Sequence, residues 1–215
     1  MKQNNIIYIA IVMVLFSCNA KQEVDKSLPF YNTPDFTPQW IAATEAAYTK
    51  VHTISPFALQ DQNGRTVTNK DVAGKIYVAN FFFTTCGSIC PKMTHNLKKV
   101  QDVFAQEKEV MLVSHTVLPE VDDVKRLKGY EERMHIDGNR WLLLTGDKEV
   151  LYTLARKSYF ADEAIGFEKA SNDFLHTENA VLIDKKGRIR GVYNATLELE
   201  INKLIEHIRL LQQDE

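Results

Sequence analysis

The chain has few cysteines, no excess of either charge and no repeated segments. Its three cysteines cannot supply two Cys pairs, which excludes a structural zinc site built on such pairs. The Cys-x-x-Cys-His sequence that attaches a c-type haem is also absent. A formal net charge of -2 gives no indication of nucleic-acid binding or of a polybasic membrane surface. With 45% hydrophobic and 25% charged residues, the composition is that of one ordinary globular domain.

The N-terminus carries an apolar run that is too short to span a bilayer. Residues 6–16 are apolar and follow Lys2, whereas a spanning helix needs about 20 apolar residues. This length matches the hydrophobic region of a signal peptide. The run ends in the tetrapeptide LFSC, which resembles a bacterial lipobox and implies cleavage before Cys18 and acylation of that residue. A plain signal peptide, or an uncleaved anchor with an incidental cysteine, is the alternative.

Residues 1–17 are therefore predicted to be a lipoprotein signal peptide. Acyl chains on Cys18 would hold the mature chain outside the cytoplasm, on the periplasmic side of a bacterial membrane, in an oxidising compartment. Residues 18–53 are predicted to be a lipid tether followed by an arm that is rich in proline and aromatic residues. Three prolines exclude a regular helix from the arm, and its aromatic side chains should pack against the domain (Pro29, Pro34, Pro38, Phe30, Tyr31, Phe36 and Trp40). A partner-binding arm is the alternative.

Residues 54–215 are predicted to form an α/β domain. After an N-terminal hairpin at residues 57–67, apolar runs and helical periodicities alternate as strand, helix, strand, helix, strand, helix, hairpin, helix. This order is that of a thioredoxin-like fold with central insertions. Helices are expected at residues 121–134, 148–159 and 197–211, the last with Leu197 on its inner face. Residues 160–174 lack periodicity and are predicted to be a long loop.

Cys86 and Cys90 remain as a pair if Cys18 carries lipid. Cys86 follows a predicted buried strand and Cys90 comes one helical turn later, which places both on one helix face with Cβ atoms about 5–6 Å apart. Such thiols can chelate one soft metal ion, or they can form a disulfide. Copper is the metal that suits thiolates combined with an imidazole. The helix N-terminus favours the thiolate of Cys86. Spacing alone leaves redox, metal-binding and structural roles open.

The sequence around these cysteines resembles a known family. Residues 81–91, FFFTTCGSICP, resemble the Sco/SenC signature of an aromatic strand followed by Thr-x-Cys-x-x-x-Cys-Pro. The lead at residues 57–75 and the pair His176-Thr177 resemble the same family, so that the resemblance covers about residues 54 to 211. It implies a site for one copper ion, Cu(I) or Cu(II), formed by Cys86, Cys90 and His176.

The resemblance also implies a function. A Sco/SenC protein would be a copper metallochaperone for the dinuclear copper site of cytochrome c oxidase, with the copper-bearing subunit or another copper or thiol client as its partner. The alternative is an extracytoplasmic thiol-disulfide oxidoreductase that reduces the client's cysteines, in which Cys86 attacks and Cys90 resolves. His176 separates the two, because disulfide exchange needs no imidazole and a three-coordinate copper site does. We prefer the copper chaperone, although one protein can combine both roles. Whether the protein also acts as a thiol-disulfide reductase is left open by the sequence.

Three positions depart from the family pattern without removing a ligand. Gly87 stands where the family commonly has proline, and Leu118 precedes Pro119 where the family has Asp-Pro. Leu175 stands where the family usually has an aspartate before the histidine. A carboxylate there could orient the imidazole, so the copper affinity is expected to differ.

The other histidines are weaker candidates for the site. His115 follows a central strand, and the carboxyl ends of strands are where α/β sites assemble. His95 should face away from the cysteines, and His135 should end a helix, where a cation is favoured. His52 and His207 are expected to be solvated.

Overall fold

The computed structural model describes residues 27–161 and 177–214. The strands are β1 (Phe30–Tyr31), β2 (Pro38–Gln39), β3 (Ala58–Gln60), β4 (Thr66–Thr68), β5 (Ile76–Phe82), β6 (Val110–Thr116), β7 (Trp141–Leu144), β8 (Asn179–Ile183) and β9 (Ile189–Asn194). The helices are α1 (Asn69–Val72), α2 (Ile89–Val103), α3 (Val124–Met134), α4 (Lys148–Thr153) and α5 (Glu198–Asp214). A 3₁₀-helix covers Ala46–Lys50, and a π-helix, Leu154–Ser158, continues α4.

A five-stranded sheet in the order β7-β6-β5-β8-β9 forms the centre of the protein. Strands β5, β6 and β7 are parallel, whereas β8 and β9 form an antiparallel hairpin added beside β5. Every residue of β5 and β6 is buried, because both faces of these strands are covered. The predicted sequence of strands, helices and terminal hairpin is confirmed.

Two hydrophobic layers cover the sheet. On one face α2, α3 and α5 pack with residues such as Leu97, Leu127 and Leu204. On the other face lie the β3–β4 hairpin, α1, α4 and the π-helix, with residues such as Val67 and Leu151. The cysteines belong to the first layer, where Cys90 is part of the core.

Three helix predictions need correction. Helix α3 begins at Val124 instead of residue 121, because the Asp123 side chain caps its first turn by accepting a hydrogen bond from the Arg126 N–H. The helix predicted for residues 148–159 changes to π geometry at Leu154. Leu197 precedes α5 and is half exposed, so its predicted place on the inner face is wrong.

The arm packs against the domain, as its aromatic residues predicted, and it meets β9 and the arginine just before that strand. Phe30 is buried, and the guanidinium groups of Arg188 and Arg190 lie 4.8 and 4.2 Å from the centroid of its ring. Arg190 also donates a hydrogen bond of 2.6 Å to the Leu28 carbonyl oxygen. Trp40 is an exception to the expected packing, since 59% of its surface is exposed.

Candidate functional site

The loop between β5 and α2 carries the first cysteine, and the first turn of α2 carries the second. Cys86 is half-buried, whereas Cys90 is only 5% exposed, and both are free thiols. The Cys90 N–H donates a hydrogen bond to Cys86 Sγ, with an N–S distance of 3.4 Å. The two thiols therefore lie together at one helix N-terminus, the arrangement that their spacing predicted.

The two thiols differ in acidity. Partial burial of Cys86 opposes its ionisation, but hydrogen bonds from the backbone N–H groups of Cys90, Ser88 and Ile89 outweigh it and lower the pKa of this thiol. Deeper burial raises the pKa of Cys90 to about 12, and the neighbouring Cys86 adds to the rise. Cys86 is therefore the thiol that ionises first and can act as nucleophile or as the first ligand of a soft metal ion.

Two of the predicted site residues lie outside the described part of the chain. These are His176, the predicted third ligand, and Cys18, the predicted lipidation site; Leu175 and the signal peptide also fall outside it. Within residues 27–161 and 177–214, no three His, Cys, Asp or Glu side chains cluster as a metal site requires. The described residues thus bring together two of the three predicted ligands, and the role of His176 stays a prediction.

His115 lies away from the cysteines, on the opposite face of the sheet. It is fully buried, its ring stacks on Phe81 at a centroid distance of 5.2 Å, and Tyr159 and Phe57 complete an aromatic cage. Neither ring nitrogen has a hydrogen-bond partner among the described residues. Burial lowers the pKa of His115 to about 3. His115 is therefore a neutral core residue.

The remaining histidines divide between correct and wrong predictions. His95 is exposed and His135 is the C-cap of α3, as expected. His52 is not simply solvated, because its Nε2 lies 2.8 Å from the Ser158 carbonyl oxygen. His207 is also partly buried, with Nδ1 2.7 Å from the Tyr193 hydroxyl. The first contact joins residues that are 106 positions apart, and the second joins α5 to β9, the edge strand of the sheet. Local sequence patterns reveal neither contact.

Sequence reasoning also missed a buried carboxylate beside the cysteine loop. Asp122 has no exposed surface and accepts hydrogen bonds from Thr84 and Thr116. The sequence feature that could have indicated this carboxylate is the pair Asp122-Asp123 before a helix. Only one aspartate is needed as the N-cap, so the other can have a separate structural role.

Comparison with known proteins identifies the family. The SCO1/SenC family model matches residues 45–212. The chain belongs to the SCO1/SenC family. A SCO1/SenC family lipoprotein from Bacillus anthracis has a similar structure, with a TM-score of 0.65 and 28% identity, covering 75% of this chain and 95% of that one.

Two further family structures extend the comparison. BsSco, described as a member of the Sco family of cytochrome c oxidase assembly proteins and as having a disulfide switch, matches with a TM-score of 0.65 and 26% identity over 77% of this chain and 96% of its own. ScoI from Bradyrhizobium japonicum, with copper bound, matches with a TM-score of 0.58 and 25% identity over 75% and 98%. The thioredoxin-like fold of the SCO1/SenC chain is confirmed by these similarities. None of its described helices is long and apolar enough to cross a membrane.

Proposed function

We propose that this SCO1/SenC protein is a copper metallochaperone that binds one copper ion through Cys86, Cys90 and His176. The observation that carries the proposal is the pair of free thiols at the start of α2, in a chain whose relative from Bradyrhizobium japonicum has copper bound. The chemistry of the donors fits this cargo, because thiolate sulfur selects soft Cu(I) over the harder cations. An imidazole from His176 would complete three-coordination and could support Cu(II).

The protonation of the pair also fits metal binding. Cys86 is the more readily ionised thiol, because its pKa is lowered. The pKa of Cys90 is raised to about 12, so this thiol is protonated at neutral pH and must lose its proton to become a ligand. Binding of a cation between the two sulfurs therefore releases a proton from Cys90, and the apparent affinity should rise with pH.

We further propose that the client is the copper-bearing subunit of cytochrome c oxidase, where the cargo would enter the dinuclear site. The support is the description of BsSco as a member of a family of oxidase assembly proteins. For the location, the lipoprotein from Bacillus anthracis supports anchoring through Cys18 on the extracytoplasmic side of a membrane. The proposed organisation is a signal peptide at residues 1–17, a tether and arm at 18–53 and the Sco domain at 54–215.

A thiol-disulfide reductase is the second candidate, and the unequal acidity of the cysteines favours it. The Cys86 thiolate would attack a client disulfide, forming one S–S bond to the client and releasing the other client sulfur as a thiolate. Cys90 would then lose its proton and displace the client from Cys86. The products are a Cys86–Cys90 disulfide and a reduced client dithiol. The disulfide switch described for BsSco gives this alternative its precedent.

Anaerobic titration of the reduced protein with Cu(I), in the presence of a competing chelator, tests the chaperone. We expect one copper per chain, loss of binding in Cys86→Ser and Cys90→Ser, and unchanged stoichiometry in Cys18→Ser, which should instead lose membrane attachment. A stoichiometry near two, or undiminished binding in Cys86→Ser, would contradict the mononuclear site.

His176→Ala separates the two functions. Loss of one of three ligands should weaken copper binding at least tenfold, or about 1.4 kcal/mol, while the Cys86–Cys90 reduction potential moves much less. If copper affinity is unchanged and disulfide exchange collapses instead, His176 serves thiol chemistry and the reductase is correct.

A further inference from the structure

The buried carboxylate of Asp122 is bonded to both the cysteine loop and the neighbouring strand. Oδ2 accepts hydrogen bonds from the Thr84 N–H at 3.1 Å and from the Thr116 hydroxyl at 2.6 Å. Oδ1 accepts a bond of 2.5 Å from the Thr84 hydroxyl. A carboxylate without exposed surface is costly unless such donors compensate it, so Asp122 holds these groups firmly.

An arginine on α3 completes the network. Arg126 Nε donates a hydrogen bond of 3.0 Å to Thr84 Oγ1 and lies 4.0 Å from Asp122 Oδ1. The Thr84 hydroxyl therefore donates to a carboxylate and accepts from a guanidinium group at the same time. Its side chain has fixed partners on both sides, and its backbone N–H is bonded to the same carboxylate.

Thr84 stands just before the reactive thiol. It follows β5 by two residues and precedes Cys86 by two, inside a turn that is closed by a hydrogen bond of 3.2 Å from the Cys86 N–H to the Phe83 carbonyl oxygen. Fixing Thr84 against β6 and α3 thus fixes the turn that presents Cys86 to Cys90. Thr116 is the last residue of β6 and donates a hydrogen bond to the same carboxylate, but it is far from the cysteines in the sequence.

We propose that Asp122 is a positioning residue for the thiol pair, acting through Thr84 to hold the Cys86 turn in the geometry that brings the two sulfurs together. The inference rests on the proposed function only in taking the thiol pair as the working site. Preorganisation of this kind raises the effective concentration of one thiol at the other, and so it favours any state in which both sulfurs are joined.

The equilibrium between the protein dithiol and glutathione measures this effect without copper. The two protein thiols are oxidised to the Cys86–Cys90 disulfide while one oxidised glutathione is reduced to two glutathione thiols. The full-length protein in detergent, freed of copper by a chelator, is equilibrated with glutathione buffers and quenched with an alkylating reagent. Mass spectrometry of the peptide that carries Cys86 and Cys90 gives the equilibrium constant, independently of Cys18.

Thr84→Val and Thr116→Val form a matched pair for this test. Each removes a buried hydroxyl that donates to Asp122 and accepts from one other group, Arg126 Nε or the Leu118 N–H, respectively. We expect Thr84→Val to lower the equilibrium constant for disulfide formation by at least about fivefold, an effect several times larger than that of Thr116→Val. Thr84→Ser, which keeps the hydroxyl, should restore the parent value.

Equal equilibrium constants in Thr84→Val and Thr116→Val, or a rise in Thr84→Val, would overturn the proposal. Because both variants lose similar buried bonds, general destabilisation should lower their melting temperatures alike and cannot produce the difference. Failure of this test would leave the copper titration unaffected, so the positioning role and the proposed function fail separately.

Discussion

Replacement of His115 by leucine should reduce the loss of stability in mild acid. The parent side chain is fully buried in a cage of Phe57, Phe81 and Tyr159, without a hydrogen-bond partner in the described part of the chain. Burial lowers its pKa from 6.5 to about 3 in the folded protein. Between these two values the unfolded chain binds a proton that the folded chain excludes. The free energy of unfolding therefore falls as the pH falls from 6.5 towards 3, and levels off below that.

The size of the effect follows from the shift. Each pH unit between the two pKa values is worth about 1.4 kcal/mol, so the full loss is about 5 kcal/mol, against a typical domain stability of about 5–15 kcal/mol. Between pH 7 and pH 5, where ordinary carboxylates remain ionised, His115 alone should account for about 2 kcal/mol. At pH 7, His115→Leu should be as stable as the parent or more so, because it removes two buried polar atoms that lack partners.

Urea unfolding followed by circular dichroism at pH 7, 6 and 5 measures this difference. The free energy of unfolding of the parent should fall by about 2 kcal/mol more than that of His115→Leu over this interval. His95→Gln is the control, since His95 is exposed on α2 and the variant should follow the parent. Parallel pH dependences of the parent and His115→Leu would refute the assignment of the acid sensitivity to this cage.

Two further predictions concern the thiols and the arm. At pH 8 iodoacetamide should label Cys86 much faster than Cys90, because the pKa of Cys86 is lowered, whereas that of Cys90 is raised from 9.0 to about 12 and its thiol is buried. Peptide mass spectrometry over time gives both rates, and similar rates would contradict the assigned acidities. Phe30→Ala should lower the free energy of unfolding by about 3–5 kcal/mol, since it removes a buried ring under two guanidinium groups. Trp40→Ala, at an exposed position of the same arm, should change it by less than about 0.5 kcal/mol in the same denaturant titration, and equal losses would mean that the arm is not held through Phe30.

The parts of the fold that the sequence predicted are those set by local periodicity. Residues 76–82 form an apolar run interrupted only by Asn80, because both faces of β5 are covered, and the cysteines follow shortly after that strand. The bounds of α3 were less predictable, because they depend on whether Asp122 or Asp123 caps the helix. Only the tertiary structure decides this, by placing Asp122 between Thr84 and Thr116.

Contacts between distant segments account for the errors. His52 and Ser158 are 106 positions apart, so no local pattern shows that a carbonyl oxygen lies beside the imidazole. Leu197 fits the apolar stripe of the last helix, but the helix begins one residue later and leaves this side chain at the surface. His115 satisfied the rule that sites form at the carboxyl ends of strands, yet the alternation of side chains along β6 directs it to the face opposite the cysteines.

The packing of the arm also protects the sheet from self-association. β9 is the last strand of the five-stranded order, and an uncovered edge strand offers free backbone groups to the edge of another molecule. The arm lies along β9, with Arg190 bonded to the Leu28 and Pro29 carbonyl oxygens and stacked on Phe30. Such a cover disfavours edge-to-edge pairing between two molecules of the protein. A shortened protein that begins after the arm should therefore aggregate more readily than one that begins before Leu28.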